Sequence, residues 1–205
     1  MNVFRTCRIA TYAPALKFVK RTQNISSLIR LLSTSEMIDE VFHRPLPISK
    51  THESRFAPEG FSKNVLYSSD QKETTLFEYG YHLLKNSSLL NIGVYANIYS
   101  LNLLKRFSFL DVSQLPYASD ILSKSSYLKA HTWIQAQDLN SLNVIQYPNV
   151  HNPDPGGLNF AIFDQSLIQR SAMLPETLVL TPKEDHKILV QSQNKALKVI
   201  SPLMF

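Results

Sequence analysis

The longest apolar stretch of the chain, LLNIGVYANIYSLNLL from Leu89 to Leu104, is interrupted by Asn91, Asn97 and Asn102. A membrane-spanning helix needs roughly 18 or more apolar residues in a row, and no segment of this chain offers that. The same stretch carries Val94, Tyr95, Ile98 and Tyr99, residue types that favour extended backbone. From Asn91 onward it therefore reads as β structure.

Around that segment the pattern is mixed. Ile25, Leu28, Ile29 and Leu32 fall at helical spacing and predict a helix over about 24–42. It would end near His43-Arg44-Pro45, with Pro47 close behind. Residues 45–64 read as irregular, and VLYSS from Val65 as a short strand. Leu76, Phe77, Leu83 and Leu84 predict a helix over 72–85, and a second long helix carrying Trp133 is expected over about 119–138. VIQYP from Val144 and LNFAIF from Leu158 read as strands joined by a Pro/Gly turn. The alternation in VLTPK and KILVQSQ adds further strands near the end. Helices and strands without a βαβ rhythm imply an α+β fold, a mostly antiparallel sheet core with flanking helices.

Charge divides the chain unevenly. Residues 1–35 carry Arg5, Arg8, Lys17, Lys20, Arg21 and Arg30 and no acid, which exceeds the whole-chain excess of +5. The basic character therefore belongs to the first segment. Two regions are expected: a basic N-terminal helical extension over 1–41 and the body of the chain over 42–205. Early arginines without a following apolar run do not read as a secretory signal. The single Cys7 cannot close an internal disulfide, so a cytoplasmic setting is the plain expectation. At 44% hydrophobic and 18% charged, the composition is that of a globular chain. One Cys and six scattered His offer no metal-ligand spacing, and neither a nucleophile elbow nor a P-loop is present.

Several short motifs stand in a telling order. Arg44 in VFHR is followed by Arg55, Gly60, Val65-Leu66-Tyr67-Ser68 and Thr75-Leu76-Phe77-Glu78. Downstream come Trp133 with Ala136, then Tyr147-Pro148-Asn149-Val150-His151, then Gly156-Gly157-Leu158-Asn159. Over about residues 42 to 168 this order resembles the RES domain family. The resemblance implies a fold similar to that of ADP-ribosyltransferases and diphtheria-type toxins. It also implies a toxin that consumes NAD as substrate and is neutralised by an Xre-like antitoxin, with nucleic acid met only through that antitoxin.

The residue types suit that chemistry. A planar guanidinium binds pyrophosphate oxygens in pairs, which suits Arg55 and Arg44. Tyr67 would line the nicotinamide side, with Tyr147 and His151 also expected to bind NAD. Breaking the nicotinamide–ribose bond builds oxocarbenium character, and Glu78 would stabilise it. The chain departs from the family pattern at two places: Asn149 stands where the family has Ser, and His151 where it commonly has Arg. Asn149 would act as a polar contact in the serine's place. Three alternatives follow: NAD phosphorolysis or hydrolysis, ADP-ribose transfer to a protein acceptor, and a degenerate domain that only binds a nucleotide or partner. A nucleic-acid contact through residues 1–35 is a fourth, predicting salt-sensitive binding.

Taken one at a time, these residues have ordinary uses as well. Glu78 and His82 stand four apart, the spacing of a surface helix pair. Trp133 suits a core, and Gly156-Gly157 a turn.

Overall fold

The computed structural model describes residues 17–19, 27–33, 54–61, 63, 65–103, 107–138, 140–152, 156–170, 176–192 and 195–204. Eleven strands among them form one sheet. They are β1 (Lys17–Val19), β2 (Ser27–Ser33), β3 (Leu66–Ser69), β4 (Val94–Leu103), β5 (Phe107–Asp111) and β6 (Val144–Pro148), then β7 (Leu158–Ile162), β8 (Ile168–Arg170), β9 (Glu176–Pro182), β10 (Ile188–Ser192) and β11 (Lys195–Ile200). Three α-helices accompany them among the described residues: α1 (Lys72–Leu84), α2 (Ala118–Ile121) and α3 (Leu128–Gln135). The strand order is β1-β5-β6-β7-β3-β2-β4-β9-β10-β11, with β8 against β4. Only β5 and β6 run parallel. This is the mostly antiparallel α+β fold that the sequence implies.

The sheet narrows at its middle. β2 lies against β4 along its whole length, from Ser27↔Asn102 to Ser33↔Ala96, but meets β3 at the single pair Ile29↔Ser69. Two halves therefore join at Ser69. On one side β3 continues into β7, from Leu66↔Ile162 to Ser69↔Asn159. On the other side β4 leads through β9 and β10 to β11.

Two expected helices are corrected. The helix read over 24–42 is the strand β2 where that segment is described. Its apolar spacing fits a helix face, but β4 supplies a pairing partner for all seven residues, and such tertiary pairing overrides local periodicity. The rest of that segment, with Cys7, Arg44 and His52, lies outside the described residues. The long helix read over 119–138 is two short ones, α2 and α3. Between them Ser123 and Ser125 share a hydroxyl contact at 3.1 Å, and Ser126 Oγ accepts from Leu128 N at 3.2 Å. Serine side chains that bond locally compete with helical backbone bonds, so the chain breaks there and restarts.

Each half of the sheet has its own core. α1 buries Leu76, Phe77 and Leu83 against Ala96, Ile98, Leu178, Leu180, Ile188 and Ile200. Gly80 lets the helix come this close: a Cβ there would stand 3.2 Å from both Ile188 and Pro202. Glycine in mid-helix costs about 1 kcal/mol against alanine, and the close approach explains its presence. In the other half α2 and α3 cover Ile145, Tyr147, Ala161 and Phe163, with Phe56 and Trp133 between the layers. Period-2 alternation puts Leu66, Phe160 and Ile162 on the opposite face, in a third cluster.

Candidate active site

Glu78 projects from α1, which starts immediately beyond β3. Asp70 fastens that start to β7, because its N–H donates to Leu158 O at 3.0 Å and its Oδ1 accepts from Leu158 N at 2.9 Å. Asn159, the next residue of β7, accepts from Ser69 Oγ at 2.7 Å and donates through Nδ2 to Glu78 Oε2 at 3.1 Å. The serine at the sheet junction thus sets the amide that holds the carboxylate. His82 Nε2 stands 3.7 Å from the other oxygen, Oε1. The Glu78 side chain is 30% exposed. Burial pushes its carboxyl up, but the His82 contact beside it and the Arg55 charge outweigh that and hold it below the usual range. It is a carboxylate at neutral pH.

Arg55 sits on a tight turn in which Ser54 and Ala57 exchange two backbone hydrogen bonds, of 3.2 and 3.0 Å. The two residues at the turn's corner have opposite destinations. Phe56 is driven into the core, edge-on to Tyr147 at 5.1 Å and Trp133 at 6.0 Å. Arg55 is only 5% exposed, and its Nη1 donates to the carbonyls of Ile121, at 3.1 Å, and Ser123, at 2.8 Å. Both acceptors become available because the chain leaves the helix between α2 and α3. The guanidinium lies 4.9 Å from the Tyr127 ring centroid. No carboxylate stands within ion-pair distance of it among the described residues, and its Nη2 and Nε make no hydrogen bond there. A buried cation without a counter-ion is costly, and open donors on it suit an anionic ligand.

Tyr67 braces that turn. Its hydroxyl meets Ser54 Oγ at 2.9 Å and accepts from Phe56 N at 3.0 Å. Burial pushes the phenol up to about 12, against the lowering effect of those bonds and of Arg55. The Tyr67 hydroxyl thereby holds the Arg55 turn in place. His131 supports the same turn from α3, with Nε2 2.9 Å from Ser54 O.

Asn149 and His151 form a clamp. Asn149 Nδ2 donates to Thr74 O and its Oδ1 accepts from His151 N, both at 2.8 Å. One end of the amide thereby pins the loop to the first turn of α1, and the other holds the loop's own backbone. The His151 ring is buried and stacks on Tyr81 at 3.5 Å and 16°. Its Nδ1 contacts Leu203 O at 3.4 Å, which makes Nδ1 the protonated nitrogen, since a carbonyl only accepts. Nε2 is buried without a partner among the described residues. Burial pushes His151 down to about 4, despite the opposing pull of Glu78. Tyr147 lies in the core against Phe56, and burial raises its phenol well above the usual value.

The structure thus brings Arg55, Tyr67, Glu78 and His151 into one neighbourhood, with Asn149 and Tyr147 as its supports. Asn159, Ser54 and Tyr127 are the members that sequence reasoning missed. Asn159 had a readable signal, an amide in the otherwise apolar strand LNFAIF, while Tyr127 arrives from a distant loop without one. Such a site can bind an anion at Arg55 and stabilise developing positive charge at Glu78.

The RES domain family model matches residues 29–181, roughly three quarters of the chain. The chain belongs to the RES domain family. No curated protein matches it. The match begins inside β2 and includes every residue of the site just described. Among the described residues of this RES domain, no helix is long and apolar enough to cross a membrane.

Proposed function

We propose that this RES domain consumes NAD by breaking the bond between nicotinamide and ribose. The observation that carries this reading is the pairing of a buried Arg55, which has no ion-pair partner among the described residues, with an ionised Glu78 whose position is fixed by Asn159. Arg55 directs its open N–H groups to the pyrophosphate oxygens. Glu78 faces the ribose carbon, where the departure of neutral nicotinamide leaves positive charge. A carboxylate already held in place needs no reorganisation as that charge appears, and such preorganised groups contribute about 10²–10³-fold in rate. Water or phosphate then bonds to the ribose carbon, giving ADP-ribose or its phosphate ester. Asn149 acts through the loop it clamps, not by touching the substrate.

The family likeness supports two further parts of the proposal. The chain acts as a toxin on cytoplasmic NAD, and an Xre-like antitoxin restrains it. The test is nicotinamide release from NAD by the full chain, with and without inorganic phosphate, beside Glu78→Gln. Release that falls about 10²-fold or more in Glu78→Gln is the expected result. Equal release by both proteins would remove Glu78 from the chemistry. A labelled protein band from labelled NAD, without free ADP-ribose, would replace this reading with transfer to a protein acceptor.

A further inference from the structure

The two oxygens of Glu78 have unlike neighbours. Oε2 is held at 3.1 Å by Asn159, a buried neutral amide that Ser69 fixes in turn. Oε1 faces His82 Nε2 at 3.7 Å, and the His82 side chain is 55% exposed. The His82 ring has a defined seat, edge-on to Tyr81 with centroids 5.4 Å apart and an interplanar angle of 73°. One oxygen thus meets a fixed interior group and the other a titratable group in contact with solvent.

We propose that His82 is a positioning residue for Glu78 and the route by which the carboxylate returns a proton to solvent. The inference rests on the reading of Glu78 as the carboxylate of an NAD-cleaving site. In hydrolysis the water oxygen bonds to the ribose carbon and the carbon–nitrogen bond breaks. Its electron pair neutralises the nicotinamide ring. The attacking water gives one proton to Glu78, which has to lose it before the next turnover. The other charged or titratable groups near Glu78 serve this poorly. Arg55 and His151 are buried, and His151, pushed down to about 4 by burial, stays neutral. Tyr127 and Tyr147, both within electrostatic reach of Glu78, have phenols that burial raises. Lys85, the residue that caps the C-terminus of that helix, turns its ammonium to the Tyr81 ring, 4.6 Å from the centroid. His82, by contrast, stands 3.7 Å from Glu78 Oε1 with its side chain 55% exposed, and so joins the carboxylate to solvent.

The test compares wild type, His82→Gln and His82→Ala in the full chain. A carbon-13 NMR titration of the Glu78 carboxyl reads the contact without any turnover. Its midpoint is expected to rise in His82→Ala. In nicotinamide release between pH 5 and 8, kcat is expected to fall roughly tenfold in His82→Ala, below the 10²–10⁴ of a direct acid–base group. KM for NAD stays within about twofold, because the contact is not to the substrate. His82→Gln recovers part of kcat but not the wild-type pH profile. An unmoved Glu78 midpoint in His82→Ala overturns the proposal. A moved midpoint with unchanged kcat and pH profile overturns the proton route. A moved midpoint in a wild type that releases no nicotinamide upholds the positioning of Glu78 and refutes the NAD reading instead.

Discussion

Replacing Asn149 with alanine should unfasten the site loop, at a magnitude that follows from two hydrogen bonds. The amide donates to Thr74 O and accepts from His151 N, each at 2.8 Å. An ordinary hydrogen bond contributes about 1 kcal/mol net, and leaving a buried partner unsatisfied costs about 1–3 kcal/mol. His151 is buried, so its N–H is stranded, while Thr74 O keeps the intrahelical bond from the Glu78 N–H and loses only its second donor. Asn149 itself is half-open, which lets water reach part of the gap. The expected loss is about 2–4 kcal/mol, or roughly 5–15 °C in Tm for a domain of this size. Asn149→Ser should behave like alanine. A single hydroxyl on a shorter arm cannot bridge Thr74 O and His151 N as a planar amide does. Urea unfolding followed by circular dichroism reads the difference directly, provided the m-value is unchanged. An Asn149→Ser protein within about 0.5 kcal/mol of wild type, inside ordinary surface-substitution scatter, would refute the clamp.

Gly157→Ala should be strongly destabilising, because its Cβ would stand 2.1 Å from Thr74 Oγ1, and overpacking of this kind costs about 1–3 kcal/mol or more. Thr74→Ala in the same chain should recover much of that loss, and a double-mutant cycle measures the coupling. His151 should make the fold acid-sensitive. Its folded value of about 4 lies below the ordinary 6.5 of a histidine, so between those limits the unfolded chain binds the proton that the folded one refuses. Stability is then intact above about pH 6.5 and falls by about 3 kcal/mol towards pH 4. His151→Gln should flatten that slope, and thermal melts at pH 7, 6, 5 and 4.5 would show it; an unchanged slope would mean that the ring is not held neutral. Glu78 adds loss only further down: its folded value is depressed, so its share is present above the unfolded value and disappears as pH falls through the folded one.

β6, β7, β9 and β10 were legible because their apolar runs and the Pro/Gly punctuation agree with the pairing they adopt, whereas β8 and β11 were not read. Helix α1 was legible because Leu76, Phe77 and Leu83 face one core. β2 was not, since Leu28, Ile29 and Leu32 satisfy a helical period equally well and only β4, some seventy residues away, decides between the two. The break between α2 and α3 was hidden for a related reason. Its serines read as tolerable helix residues until the carbonyls of Ile121 and Ser123 are seen to serve Arg55. Of the site, Arg55, Tyr67 and Glu78 were legible as a set through motif order. Their division of labour was not, because a hydrogen-bond partner such as Ser54 for Tyr67 is a fact of three-dimensional proximity.

The Ser54–Ala57 turn has a consequence for genetics. Arg55 and Phe56 are neighbours in sequence, yet one belongs to the site and the other to the aromatic cluster with Trp133 and Tyr147. Whatever loosens that cluster also swings the guanidinium. On the proposed toxin reading, a selection for harmless variants of this chain would therefore recover changes at Phe56, Trp133 and Tyr147 beside those at Arg55. Read as a map of the active site, such a collection would mistake the foundations for the machinery.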